Sequence, residues 1–366
     1  MRLVAVSDVT LGYGTPQLPL LMQSLQEYLG GTVHIVEPRQ PELAPRHNEF
    51  PGFDVVTVAS AEHPHSVVGR QEYIVRATRE VNRLAPDVLV ICCTYTLPVL
   101  FQMRKRPPTV IYYSVESIPF YGEFDVEMNR RSHGLVDMIL FPEQNRAALE
   151  TARCGFGGIP KIVLYNTSNL QRNARAPLDA AERNGRILYA GTISRAQTFL
   201  DYYFSDKIRA MPIDMYGPVK GTAEDQQRFL SARGGELAYR GRIGITELAE
   251  LRRRYLYSIV AWNPDQEGQL YAAPNKFFEA IADGVPPIAA PHPQCKLLIE
   301  RYGCGILLED WSFDAFHAGL RRALRDAATP RWQAMVDACA RAVATELTWD
   351  AQFDKLKAHL KKGNQG

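Results

Sequence analysis

Short apolar runs alternate with longer amphipathic stretches along the whole chain, and this alternation is the feature that most limits its fold. A short run rich in β-branched residues predicts a buried strand, whereas apolar residues three to four positions apart predict a helix. Strands that alternate with helices assemble into a parallel sheet covered by helices. The sequence therefore predicts an α/β protein.

The alternation occurs twice among the 366 residues, on either side of a polar stretch at 166–185 that has no apolar period. Strands are predicted at 3–7, 32–36, 55–58, 88–93, 109–114 and 138–141, and then at 186–191, 213–216, 237–239, 258–261, 287–290 and 305–307. Helices are predicted at 19–29, 73–84, 246–254 and 349–360, among others.

Two such units predict two Rossmann-like, doubly wound domains that face a cleft, because parallel sheets bind ligands at the carboxyl ends of their strands. We place the first domain at residues 1–168 and the second at residues 169–345. A terminal helix at 346–366 is expected to pack back on the first domain. Closure over the substrates is expected to hinge near 166–185 and at the terminal helix.

Composition argues against several classes of protein. A net charge of +2 gives no reason to expect nucleic-acid binding. The apolar run at 3–6 is too short for a signal peptide and no window approaches a membrane span, so we expect a cytoplasmic protein. The six cysteines lack zinc-site spacing and predict reduced core thiols, with Cys92 and Cys93 on opposite faces of a strand. The basic runs at 104–106 and 252–254 are predicted to be solvated helix faces.

The segment at 271–291, YAAPNKFFEAIADGVPPIAAP, carries the most informative chemistry. Pro274 before Asn275 predicts a helix start, and the following glycine and proline predict its end. Lys276 and Glu279 then share one face near the N-terminus, where free N–H groups favour a phosphate. Glu279, one turn deeper, is placed to accept hydrogen bonds from ribose hydroxyls. An amphipathic helix with a Lys276–Glu279 ion pair is the alternative.

Residues 274–286, PNKFFEAIADGVP, resemble the P-x-K-φ-φ-E-φ-φ-A-x-G-x-P segment of GT-B glycosyltransferases, and are most similar to bacterial members of the large retaining, family 4-like group. The resemblance, which extends over the second domain, implies the GT-B fold and implies that Glu279 binds the ribose of a donor nucleotide. It also implies that Pro274, Asn275 and Lys276 lie against the donor sugar or diphosphate. Tyr271 stands where the family has a first glutamate, which leaves the donor sugar and the retaining outcome open.

The resemblance implies further nucleotide-binding positions in three loops at strand ends. They are Gly191, Thr192 and Arg195 in the first loop, Gly217 in the second, and Arg242 and Ile243 in the third. In the family, a basic residue of the first loop contacts the diphosphate, and the backbone of the third binds the nucleobase. A solvated loop arginine is the alternative for Arg195.

In the first domain, Glu116 follows a predicted strand and resembles the acidic residue that faces the cleft in these enzymes. It would orient an acceptor hydroxyl, or act as general base if the reaction inverts, and a helix-capping carboxylate is the alternative. Gly12 and Gly14 fit the glycine loop that lies under the diphosphate and acceptor. Three histidines, His63, His65 and His133, show no partner in the sequence.

Together these features predict a glycosyltransferase that needs neither metal nor cofactor and has Glu116, Lys276 and Glu279 in its catalytic set. The donor would be a nucleotide-diphosphate sugar, with UDP as the first guess, and the acceptor a saccharide or lipid-linked saccharide of bacterial surface polysaccharide synthesis. A nucleotide-sugar epimerase, a sugar-binding protein and a non-catalytic sugar-nucleotide-binding subunit are the alternatives. Peripheral binding at the inner face of a membrane is a further hypothesis, carried by a basic terminal helix with Lys355, Lys357, Lys361 and Lys362.

Overall fold

The computed structural model describes residues 1–118, 122–167, 177–231 and 236–360. Its strands are β1 (Arg2–Val6), β2 (Thr32–Pro38), β3 (Phe53–Val58), β4 (Val88–Cys92), β5 (Thr109–Tyr113), β6 (Met138–Phe141), β7 (Lys161–Val163), β8 (Ile187–Ala190), β9 (Ile213–Tyr216), β10 (Ala238–Gly241), β11 (Tyr257–Val260), β12 (Pro287–Ala289) and β13 (Ile306–Leu307).

The helices that alternate with these strands are α1 (Gln17–Leu29), α2 (Val67–Leu84), α3 (Val99–Gln102), α4 (Glu123–Arg131), α5 (Gln144–Cys154), α6 (Arg195–Thr198), α7 (Leu200–Tyr203), α8 (Asp206–Arg209), α9 (Ala223–Ser231), α10 (Ile245–Arg252), α11 (Glu267–Leu270), α12 (Asn275–Ala282), α13 (Pro293–Tyr302), α14 (Phe313–Asp326), α15 (Pro330–Thr345) and α16 (Trp349–Lys357). Helix α2 begins six residues before its predicted start, because the Ser66 side chain accepts a hydrogen bond from the Gly69 N–H and caps it.

The strands form two parallel sheets, and the predicted α/β class is confirmed. One sheet has the order β3-β2-β1-β4-β5-β6-β7 and the other the order β10-β9-β8-β11-β12-β13. In both, the chain moves outward from a first strand and then returns past it, which is the doubly wound pattern. Six strands were expected in the first sheet, and β7 was missed because it is only three residues long and lies at an edge.

The chain divides into two compact units, which we call the N-terminal unit (Met1–Tyr165 with Trp349–Gly366) and the C-terminal unit (Asn166–Thr348). Helix α16 packs on α1 and β7 within the N-terminal unit. The Trp349 indole donates a hydrogen bond to Ser24 Oγ at 2.9 Å, and the Gln352 side chain accepts one from the backbone of Tyr165 at 3.0 Å. Part of the predicted boundary, residues 168–176, lies outside the described residues.

Apolar side chains cover both faces of the N-terminal sheet. Leu3 and Ala5 of β1 pack in one cluster, with α1 and α16, and Val4 and Val6 pack in another on the opposite face, with α2. This alternation along a single buried strand is what a sheet with helices on both sides requires. Within the described ranges, no helix combines the length and apolarity that crossing a bilayer demands.

Candidate functional site

Helix α12 carries the two residues with the clearest predicted chemistry. Pro274 precedes its first residue, so the predicted helix start is confirmed, and Phe277, Phe278 and Ile281 are buried against the sheet. The apolar residues fix the rotation of the helix about its axis. Lys276 and Glu279 therefore stay on the partly exposed side.

The ammonium group of Lys276 lies beside the ring of Tyr189, with Nζ 4.5 Å from the ring centroid. Among the described residues, neither a carboxylate nor a hydrogen-bond acceptor pairs with this nitrogen, so the alternative of a Lys276–Glu279 ion pair is wrong. Burial lowers the pKa of Lys276 to about 8, against the opposing charge of Glu279. A cation that is desolvated and lacks a counter-ion gains most from a bound anion.

Two glycine turns lie at the carboxyl ends of β8 and β9, next to this ammonium. Gly191 has a φ of 145° and Gly217 a φ of 133°, both in the region that favours glycine. A Cβ atom on Gly191 would lie 2.9 Å from Lys276 Nζ, and one on Gly217 would lie 1.9 Å from the carbonyl oxygen of Gly191. The predicted residues Gly191, Gly217 and Lys276 are thus brought together, and the absence of Cβ atoms on the two glycines allows this close approach.

Glu279 makes an ion pair that the sequence did not predict. Arg252, at the end of α10, is 3% exposed and lies with Nη2 2.6 Å from Glu279 Oε2 and Nη1 2.7 Å from Asp283 Oδ2. The expectation that residues 252–254 form a solvated face is therefore wrong for Arg252. Burial raises the pKa of Asp283 to about 6, although Arg252 opposes this.

Arg195 begins the short helix α6 and its guanidinium is already paired. It contacts Asp201 and Asp225, each at 2.5 Å, and the hydrogen bond with Asp225 raises its pKa. Its side chain is 49% exposed, so Arg195 is a surface arginine, as in the solvated alternative, but its guanidinium is paired with carboxylates. Thr192 accepts a hydrogen bond from the Tyr189 hydroxyl through its carbonyl oxygen at 2.5 Å.

The other predicted positions of the C-terminal unit follow strand ends. Gly241, the last residue of β10, accepts the backbone hydrogen bond of Gly217 at 2.9 Å. Arg242 and Ile243 come directly after it, Arg242 exposed and Ile243 partly buried. They lie at the same edge of the sheet as the two glycine turns, because all these strands are parallel.

Sequence reasoning missed an aromatic pair under the segment that precedes α12. The rings of Trp262 and His292 stack with their centroids 3.8 Å apart. The Trp262 indole donates to the carbonyl of Gln269 at 2.7 Å, and His292 Nδ1 lies 3.2 Å from the carbonyl of Leu270. Burial lowers the pKa of His292 to about 4, so the ring is neutral at pH 7. The pair holds α11, which leads to Tyr271. Both residues follow strand ends, and this position was the only feature of the sequence that could have indicated the pair.

In the N-terminal unit, the Gly12–Gly14 loop follows β1 and is held by neighbouring side chains. The backbone N–H of Leu11 donates to Glu37 Oε2 at 2.6 Å, and Arg46 donates to the carbonyl of Gly12 at 2.9 Å. Both glycines have positive φ angles. The loop is therefore built against the carboxyl end of β2.

Two carboxylates with raised pKa values follow strands of the same sheet. Glu116, after β5, is exposed, yet desolvation by the surrounding protein raises the pKa of its carboxyl, with Arg146 opposing. Arg146 holds the backbone before it, by donating to the carbonyls of Ser114 and Val115. Burial also raises the pKa of Asp8, after β1, and its Oδ1 has no partner within the described chain.

The histidines differ from each other in their surroundings. His65, for which the sequence showed no partner, lies with Nε2 3.0 Å from the carbonyl oxygen of Asp8. His133 is exposed.

The expectation that Cys92 and Cys93 point to opposite faces is wrong, because Cys93 has a φ of 67° and the two sulfurs lie 4.0 Å apart. All six cysteines are buried and free, as expected.

Known structures share this architecture across the full chain. The sequence matches no family model and no curated protein. The lipopolysaccharide outer core galactosyltransferase WaaB has a TM-score of 0.67 at 13% identity, covering 98% of this chain and 99% of that one. HepE from Anabaena, in complex with UDP and glucose, has 0.68 at 13%, covering 98% of each chain. Sucrose-phosphate synthase from Thermosynechococcus elongatus has 0.69 at 14%, covering 98% of each. The chain therefore has the GT-B fold.

Proposed function

We propose that this chain is a glycosyltransferase that moves a sugar from a nucleotide-diphosphate sugar to a saccharide or lipid-linked saccharide acceptor. The observation that carries the proposal is the Lys276 ammonium, which has no counter-ion among the described residues and lies beside the Gly191 turn. Glu279 lies one helical turn away with a carboxylate oxygen exposed to a ligand hydroxyl. The structure of HepE holds UDP and glucose, which supports the same class of donor here.

In the proposed reaction, the bond between the anomeric carbon of the sugar and the diphosphate oxygen breaks, and negative charge develops on the diphosphate. Lys276 and the positive end of the α12 helix dipole would stabilise that charge. Glu279 would accept a hydrogen bond from the ribose. Because these groups supply the positive charge, the proposal needs no divalent ion. Arg195 would contribute only after leaving Asp201 and Asp225.

The acceptor side of the proposal rests on the N-terminal unit. Glu116 would accept a hydrogen bond from the acceptor hydroxyl that attacks the anomeric carbon, or would accept its proton. Its raised pKa makes it a better base than an ordinary carboxylate. Gly12 and Gly14 would let the acceptor approach the backbone after β1. A surface polysaccharide is the proposed product, supported by the lipopolysaccharide galactosyltransferase WaaB among the similar structures.

Peripheral membrane binding through the basic helix α16 is a further part of the proposal. Lys355 donates to Gln352 at 2.8 Å and Lys357 pairs with Asp354 at 2.6 Å, so part of the positive charge of α16 is used within the chain. Lys361 and Lys362 lie outside the described residues. Sedimentation with liposomes of anionic lipid tests this point: salt-sensitive binding supports it, and no binding contradicts it.

A thermal-shift screen with UDP, GDP, CMP and their sugars tests the proposed function. We expect one nucleoside diphosphate and its sugar to raise the melting temperature by several degrees. Incubation of that sugar nucleotide without acceptor separates transferase from epimerase, because an epimerase converts the donor alone. An isomerised donor, or no shift with any nucleotide, would contradict the proposal.

A further inference from the structure

Arg252 has no role in the reaction proposed above. It ends α10 and is nearly inaccessible to solvent. Its guanidinium joins Glu279 on α12 and Asp283, the residue that directly follows α12. Two carboxylates at this spacing repel each other, and a cation between them fixes both.

The ion pair uses only one oxygen of Glu279. Arg252 Nη2 donates to Oε2 at 2.6 Å, and Oε1 has no hydrogen-bond partner in the described part of the chain. The Glu279 side chain is 26% exposed, compared with 4% for that of Arg252. One carboxylate oxygen is therefore held from the protein side while the other remains accessible to a ligand.

We propose that Arg252 is a positioning residue that fixes the Glu279 carboxylate so that Oε1 accepts a hydrogen bond from a ribose hydroxyl of the donor nucleotide. The inference rests on the proposed function and deepens it. A carboxylate free to rotate would lose conformational freedom on binding, whereas one fixed by a buried guanidinium has lost it beforehand. Arg252 thus acts through Glu279 and does not itself touch the nucleotide.

The test measures how strongly the protein distinguishes ribose. Calorimetry gives the affinity for UDP and for 2′,3′-dideoxy-UDP, or for the corresponding GDP or ADP pair if that diphosphate binds more tightly. The wild-type protein is expected to prefer the ribose form by about tenfold or more, the range for a hydrogen bond to a charged group. Arg252→Met should bring this ratio close to one, and Arg252→Lys, which keeps the charge, should restore part of it.

Arg183 provides the matched control. It is another buried arginine of the C-terminal unit and donates to the carbonyls of Tyr255 and Gly284 at 2.7 and 2.9 Å, without an ion pair to Glu279. Arg183→Met should lower the melting temperature and leave the ribose preference unchanged, which separates loss of stability from loss of positioning.

Two results would overturn the inference, and they are distinguishable. A wild-type preference that persists in folded Arg252→Met and Arg252→Lys overturns the role of Arg252 and leaves the proposed function standing. If Arg252→Met does not fold, an unchanged preference in Arg252→Lys has the same meaning. A wild-type protein that binds no nucleoside diphosphate overturns both.

Discussion

The ammonium nitrogen of Lys276 lies 4.5 Å from the centre of the Tyr189 ring, across from the Gly191 turn. The ring face attracts the cation but does not neutralise it. Burial lowers the pKa of Lys276 to about 8, within reach of ordinary assay conditions. Because Lys276 loses its charge near this pH, the binding of an anion at α12 should depend on pH.

Diphosphate binding should weaken as the pH rises through about 8. The free enzyme loses the Lys276 proton in this range, and at pH 9 only about a tenth of the molecules carry the charge. Calorimetry with the bound nucleoside diphosphate should therefore show an affinity about tenfold lower at pH 9 than at pH 7. Lys276→Arg, which stays charged, should remove this dependence. A wild-type affinity that is flat over this range would contradict the role of Lys276.

The ligand-free protein should become more stable when Lys276 is replaced by methionine. The folded-state pKa lies below the unfolded value of 10.5, so the charged lysine destabilises the folded state at pH 7. This destabilisation declines as the pH rises from about 8 and is lost above 10.5. Lys276→Met should raise the melting temperature by about 3 °C and abolish the shift caused by the diphosphate. A lower melting temperature would mean that the ammonium has a partner in the folded protein.

Gly217→Ala should disrupt the turn beside the site. The added Cβ would lie 1.9 Å from the carbonyl oxygen of Gly191, and the φ of 133° is unfavourable for alanine. We expect a loss of at least about 2 kcal/mol in the free energy of unfolding, measured by urea denaturation, together with weaker nucleotide binding. Gly244→Ala is the control, because a Cβ there meets nothing within 4 Å and its φ is −69°. Equal stability of the two variants would contradict the close approach.

Glu116→Gln should impair transfer without affecting the nucleotide. If the carboxylate receives the acceptor proton, the rate of transfer should fall by about a hundredfold while the affinity for the diphosphate stays constant. In the wild-type protein, transfer should decline as the pH falls through a value higher than that of an ordinary glutamate, because the pKa of Glu116 is raised by desolvation. Glu127→Gln, at a residue of α4 whose side chain is 46% exposed, is the control. An equal loss of nucleotide binding and transfer would place Glu116 elsewhere in the mechanism.

The fold was largely predictable because each buried strand is a short apolar run between turn residues. Strands β6 and β9 were predicted at the residues where they occur, and α12 was predicted from Pro274 at its start and from Gly284 and Pro286 after its end. The short edge strand β7 carries too few apolar residues to give such a signal. Local pattern thus predicts elements that bury much apolar surface and misses those that bury little.

The backbone of the site was predictable from the sequence, whereas the partners of its charged side chains were not. The glycine turns and α12 follow from local sequence, but Arg252, the partner of Glu279, is 27 residues away, and Asp225, one of the two partners of Arg195, is 30 residues away. The basic run at 252–254 gave no sign that Arg252 is buried, because Arg252 is followed by two further arginines and the three look alike in the sequence. Long-range pairing of charges depends on tertiary packing, which periodicity does not report.

Turnover of a sugar nucleotide tests the central claim most directly. The donor that binds most tightly is incubated with wild-type protein and with Glu279→Ala, together with a saccharide or lipid-linked acceptor, and the release of nucleoside diphosphate and the glycosylated product are measured. Glu300→Ala, at an exposed position of α13, serves as the control. We predict that the wild type and Glu300→Ala release diphosphate and form product in equal amounts, while Glu279→Ala remains folded and does neither. Unchanged turnover in Glu279→Ala, or nucleotide binding without turnover in the wild type with every donor and acceptor, would contradict the account.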